Sequence, residues 1–150
     1  MKNLPSIIAA LGFAAMALPA TAQFAKPEDA IKYRQNSLFV MQQNFARLAG
    51  MAQGKMPFDA KVAADSAANA EFVARLPWAA FGDGTDKGGN TKAKAEIWKD
   101  KAKFMEYADK MQMEMAKLNV AAKTGQLDAI KPAVGAVAGT CKTCHDAFRD

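Results

Sequence analysis

Seven residues near the C-terminus, Leu127, Ile130, Val134, Val137, Cys141, Cys144 and Phe148, follow one another in alternating steps of three and four. Only an α-helix gathers such steps onto one face. An apolar seam of this length is buried against other helices, so this helix needs partners, and both cysteines belong to the side that faces them. Pro132 is discordant within the run. Its ring removes a backbone donor and crowds the preceding turn, which predicts a short irregular turn before Pro132 and a helix restarting there.

The cysteines are part of Cys141-Lys142-Thr143-Cys144-His145, a C-x-x-C-H motif. The chain holds two cysteines and one histidine, and all three fall within these five residues. A structural disulfide would tie distant segments, and a redox C-x-x-C would accompany a βαβ pattern that is absent here. Tetrahedral zinc would need a fourth strong ligand, which the sequence lacks. What remains is covalent attachment of a c-type haem. On a helix, positions i, i+3 and i+4 share one face, so two thioethers and an imidazole can address one flat ligand. His145 is then the axial ligand, and a sixth ligand would be Met, Lys, Tyr, water or nothing.

Three further helical stretches precede this one, and no segment beyond the leader alternates as a strand. The first is predicted from Pro27, well placed in a first turn, to about Gly50 or Gln53, with Ile31, Leu38, Met41, Phe45, Leu48 and Ala52 on one face. The second is predicted to start at Asp59 as N-cap and end before Pro77, with Val62, Phe72, Val73 and Leu76 as its apolar contributors. The third spans Ala95 to Lys123, carries Ile97, Phe104, Ala108, Met111, Met115 and Leu118, and stops at Gly125. Between the second and third lies a glycine-rich crossover with two large aromatics, Trp78 and Phe81, which either cap the core or pack on the haem. Short links elsewhere make the fold all-α, an antiparallel four-helix bundle. Its first helix is the natural wall opposite the last, which directs attention to Arg34, Gln35 and Leu38.

The N-terminus reads as an export leader. Lys2 supplies a positive start, Ile7 to Leu18 an apolar run, and Ala20-Thr21-Ala22 a small-x-small cleavage site. The run is shorter than the ~20 residues that span a bilayer. Residues 1–22 are therefore expected to be removed, leaving a single domain of residues 23–150 in the periplasm, with no membrane association. The formal charge of +5 falls by one with Lys2. Lys92, Lys94, Lys99, Lys101 and Lys103 alternate with acidic residues and lack an aromatic strip, so they form a solvated face and not a nucleic-acid site.

At this point the chain resembles the cytochrome c′ family, class II c-type cytochromes whose haem motif lies near the C-terminus of a four-helix bundle. The residues that carry the resemblance are Gln23-Phe24-Ala25-Lys26-Pro27-Glu28-Asp29-Ala30, Lys32-Tyr33-Arg34-Gln35, Leu76-Pro77-Trp78-Ala79-Ala80-Phe81-Gly82, Glu96-Ile97-Trp98, and Cys141 to Arg149. It implies one haem c per chain, held by thioethers from Cys141 and Cys144, with His145 as proximal ligand. Arg34 and Gln35 match residues that contact haem propionates, Leu38 the residue that covers the distal face, and Arg149 a basic residue beside the proximal pocket. Read without the resemblance, Arg34 is a surface ion-pairing residue and Leu38 an ordinary core residue. The crossover is longer and richer in Lys and Gly than the family pattern, which counts against a propionate contact from Asn90 or Thr91.

The resemblance also implies a non-enzymatic protein with a five-coordinate iron that binds nitric oxide or carbon monoxide, with electron transfer to a redox partner protein as a further capacity. Helix-one residues such as Phe39 would serve a homodimer. The competing reading is a low-spin electron carrier in which Met41, three residues after Leu38, completes the coordination. A peroxidase would need polar distal groups for proton transfer, and no distal histidine exists.

Overall fold

The computed structural model describes residues 23–150; the leader expected at residues 1–22 lies outside the described residues. Four long helices form the bundle: α1 (Pro27–Ala52), α2 (Ala60–Val73), α4 (Lys101–Lys123) and α5 (Leu127–Phe148), with a one-turn α3 (Glu96–Lys99) before α4. Each long helix packs on the next, and α5 returns to α1, so the chain runs up, down, up and down around one core. The crossover from α2 to α4 includes a 3-10 turn at Pro77–Ala80 that lies against α1.

α1 starts as its sequence dictates, with Pro27 in the first turn and Glu28 and Asp29 beside the positive end of the helix dipole. It buries Ile31, Met41 and Leu48, with Leu38, Phe45 and Ala52 partly buried on the same core. Three polar residues are buried with them. Ser37 and Asn44 return their donors to the carbonyls one turn earlier, Tyr33 O and Val40 O, each at 2.9 Å, which satisfies them without leaving the helix. Arg34, the third, spends its donors on the crossover.

Three sequence expectations need correction. The second helix turns its alanines inward: Ala63, Ala67, Ala70 and Ala74 are fully buried, whereas Phe72 is 69% and Val62 40% exposed. A stripe without side chains beyond Cβ lets α2 sit close to α1 and α4; Phe72 and Val62 are left outside, while Val73 packs on the core as expected. The helix predicted over Ala95 to Lys123 is broken at Asp100, whose backbone leaves the helical region at φ −131° and ψ 66°. Its carboxylate then caps α4 by accepting from the Lys103 amide at 3.1 Å. The break lets α3 bury Ile97 while Trp98 donates to Gly82 O at 2.8 Å. Finally, α5 runs through Pro132 without interruption. Pro132 and Asp128, whose carbonyl loses its partner, are both exposed near the helix start, where solvent is free to take the place of the missing bond. Gly125, at φ 68°, ends the turn after α4 as expected.

The interior divides in two. A long apolar core joins Leu48, Met51, Met115, Leu118, Ile130 and Val137 with the α2 alanines. A separate aromatic cluster of Phe81, Phe104 and Phe148, with Trp78 and Trp98 against it, occupies the end of the bundle where the crossover lies.

Candidate haem site

The C-x-x-C-H segment lies in the last two turns of α5 at the aromatic end of the bundle. Cys141 packs against the long core and Cys144 against the aromatic cluster, while His145 is exposed. Both thiols are free and half-buried. Burial raises the pKa of each, and the neighbouring Cys141 adds to the effect at Cys144, which is pushed up to about 11. They are therefore neutral thiols at pH 7 in the protein before attachment. Burial lowers the pKa of His145, and Arg149 adds to this against a smaller opposing effect of Asp146. Neutral imidazole is the form that binds a metal. Asp146 is itself engaged by Lys142 at 2.5 Å.

Arg149 leaves the helix in an extended conformation and pairs with Ala93 as an antiparallel bridge. Lys94 N donates to Phe148 O and Asp150 N to Lys92 O, each at 3.0 Å. The end of the crossover is thereby stitched to the chain beyond the haem motif.

Arg34 is only 2% exposed. Its Nη1 donates to Ala80 O at 3.1 Å and Thr85 Oγ1 at 2.9 Å; its Nη2 donates to Thr85 O at 2.9 Å and Thr91 Oγ1 at 3.0 Å. The guanidinium lies over the rings of Phe81 and Trp98, with its carbon 4.4 and 5.5 Å from their centroids. Gln35, one residue on, is exposed and donates to Asn90 O at 2.8 Å. Both residues thus tie the crossover to α1. Among the described residues Arg34 forms no ion pair. Burial lowers its pKa and no carboxylate restores it. A buried cation without a counter-charge is costly, so the pocket is incomplete with respect to negative charge. A haem, whose edge carries two carboxylates, fits this deficit.

Leu38 lies one turn beyond Arg34 and is partly buried against the long core. Met41 is more deeply placed, 8% exposed within that core. Trp78 and Phe81 are held inside the protein's own aromatic cluster, Trp78 against Phe104 at 5.7 Å and Phe81 against Phe104 at 4.8 Å between centroids.

This sequence matches the model of the family described as Cytochrome C′ over residues 29–149. It is 51% identical over 128 residues to a cytochrome c′ of Rubrivivax gelatinosus, covering 85% of this chain and 99% of that protein. The chain belongs to the cytochrome c′ family. A cytochrome c′ of Alcaligenes xylosoxydans xylosoxydans is 45% identical over 85% of this chain and 98% of its own length. The solved structure of the Rubrivivax gelatinosus protein superposes with a TM-score of 0.82, covering 85% of this chain and 100% of that one. The four-helix bundle is that of the family, and the cofactor of a cytochrome c′ is haem c.

The sequence pointed to Cys141, Cys144, His145, Arg34, Gln35, Leu38 and Arg149; Arg34, Gln35 and Arg149 all meet the crossover, Cys144 packs on the aromatic cluster, and Leu38 and Cys141 pack on the long core. The sequence did not point to Thr85, whose hydroxyl and carbonyl both meet Arg34, nor to Thr91 as an acceptor for it. Neither has a periodic neighbour to mark it. The one available signal was the threonine itself, a residue able to satisfy a guanidinium, set in a loop opposite an arginine on an otherwise apolar helix face.

Proposed function

We propose that Cys141 and Cys144 hold the haem through thioethers, that His145 is the axial ligand from the protein, and that the protein binds nitric oxide and carbon monoxide on a face of the iron left open by Leu38. When bound, the haem supplies an iron with a vacant position for a diatomic molecule. The residues do the rest. Cys141 and Cys144 would fix the ring to α5, Arg34 would offer positive charge to a propionate, and Leu38, which has no atom able to coordinate iron or hydrogen-bond a ligand, would leave the iron position vacant while its bulk admits only small diatomic molecules. Gln35 and Arg149 complete the polar rim. One solved relative, 42% identical over 85% of this chain and 98% of that one with a TM-score of 0.78, is the nitric oxide complex of a leucine-to-alanine mutant of cytochrome c prime from Alcaligenes xylosoxidans, which supports a gas-binding role here.

The observation that favours this reading over a Met41-ligated carrier is the order of burial on α1. Met41 is packed in the core beside Leu48 and Met111, and Leu38 retains exposure. The same proposal places the mature protein, residues 23–150, in the periplasm as a homodimer that is not an enzyme and that also passes electrons to a redox partner. Among the described residues no helix is long and apolar enough to cross a membrane.

The test is the ferric spectrum and the flash photolysis of the carbon monoxide complex, for wild type and Leu38→Ala. Wild type should show five-coordinate high-spin iron, and the mutant should rebind carbon monoxide faster and hold it more tightly by about 1–3 kcal/mol, the cost of displacing a packed side chain. A low-spin methionine-ligated wild-type spectrum would replace this reading with the electron carrier.

A further inference from the structure

Thr85 is the one buried residue between Asp83 and Asn90, a stretch in which Gly84, Gly88 and Gly89 all adopt positive φ. It is 5% exposed. A threonine hydroxyl has one proton to give and two lone pairs to offer, and this one is used on both counts: it donates to Gly82 O at 2.8 Å and accepts from Arg34 Nη1 at 2.9 Å. Its carbonyl accepts from Arg34 Nη2 at 2.9 Å, so one residue engages both prongs of the guanidinium. Thr91 Oγ1 accepts from the same prong and also from Ala93 N at 3.2 Å. Ala80, Thr85 and Thr91 therefore take the four N–H groups of the two terminal nitrogens. Among the described residues, only Nε is left without a partner.

If Arg34 turned freely to reach a haem carboxylate with its terminal nitrogens, it would have to release the crossover, leaving buried carbonyls unpaired at a cost comparable to several hydrogen bonds. We propose that Thr85 is a positioning residue: it locks the guanidinium to the crossover, so that Arg34 meets the haem in one fixed orientation, through Nε and its charge, while the crossover stays closed on α1. The proposal rests on the haem reading above. A lysine in place of Arg34 could not form the clasp, because its three donors leave one point and not a planar fork.

The experiment uses the full-length mature protein with haem attached, as wild type, Thr85→Val and Thr85→Ser. The valine keeps the shape and removes the hydroxyl, and the serine restores it. Trypsin cleavage after Lys87, which is exposed within the crossover, is followed by mass spectrometry together with the reduction potential of the haem. Thr85→Val should be cleaved roughly tenfold faster, since opening of this segment becomes easier by about one buried hydrogen bond. Its reduction potential should also shift as Arg34 loses its fixed orientation, and Thr85→Ser should return both values to wild type. Faster cleavage with an unchanged potential would overturn the positioning role and leave Thr85 a loop anchor. Wild-type cleavage in Thr85→Val, or a serine variant as impaired as the valine, would overturn the clasp itself. Absence of covalent haem from all three proteins would instead defeat the haem reading, and the cleavage comparison would still decide whether the hydroxyl holds the crossover.

Discussion

The two ends of the bundle are held by different physics. Away from the site, Leu48, Leu118, Ile130 and Val137 are fully buried against the α2 alanines, and nothing they do depends on direction. Burial of apolar area is additive and tolerant of exchange between side chains of similar size. At the site end, Arg34, Thr85 and Thr91 are fixed by single atoms, beside aromatic rings that also pack on Cys144, while Cys141 reaches back to the apolar core. The first end would fold as a bundle whatever the protein did. The second buries a guanidinium for which, among the described residues, no carboxylate supplies the counter-charge, and a haem propionate would supply it.

The largest effect expected from breaking this contrast is at the sulfurs. Cys141→Ala combined with Cys144→Ala should abolish covalent attachment, leaving a haem that acid solvent extracts, and either single change should leave one thioether. Intact mass after expression with a cytochrome c maturation system reads the outcome, and haem retained covalently by the double mutant would refute the assignment. At the other end, Leu118→Ala should cost about 2–5 kcal/mol, the range for emptying a fully packed aliphatic site. It should lower the denaturant midpoint and leave the haem spectrum unchanged. A spectral change of the size caused by site mutations would show that the two ends are not mechanically separate.

The same contrast governs what could be read from the sequence. α5 was legible because every core residue from Ile130 to Phe148 obeys one spacing, and α1 because its apolar face and first-turn proline agree. The inward face of α2 was misread because Val62 and Phe72 outweigh alanines in any measure of hydrophobicity, while close helix approach selects the small side chains. The break at Asp100 was hidden because Ile97 and Phe104 keep helical spacing across it. Pro132 has the mark of a boundary, yet it lies on the exposed side near the helix start and the helix runs through it. Among site residues, the three of the C-x-x-C-H motif declare themselves. Thr85 does not, since its role exists only once a crossover and a helix 51 residues apart in sequence are brought together.

The smallest expected effect is at a surface that neither end uses. Phe72 on α2 is 69% and Phe39 on the neighbouring α1 is 61% exposed, with Val40 and Val62 also in solvent. Replacing Phe72 by Ser removes little packing within one chain, so its unfolding free energy, measured at a protein concentration low enough for monomers, should change by no more than about 0.5 kcal/mol. The proposed homodimer gives these rings a use, since a symmetric contact would bury them twice. Sedimentation then separates the two cases: Phe39→Ser with Phe72→Ser should convert the dimer to monomer while each chain keeps its helical signal and its haem spectrum. An association state unchanged by both substitutions would remove these rings from any contact between copies. A loss of several kcal/mol in the monomer would show that Phe72 supports the apolar end after all, because only a side chain packed in the native monomer can cost that much to delete.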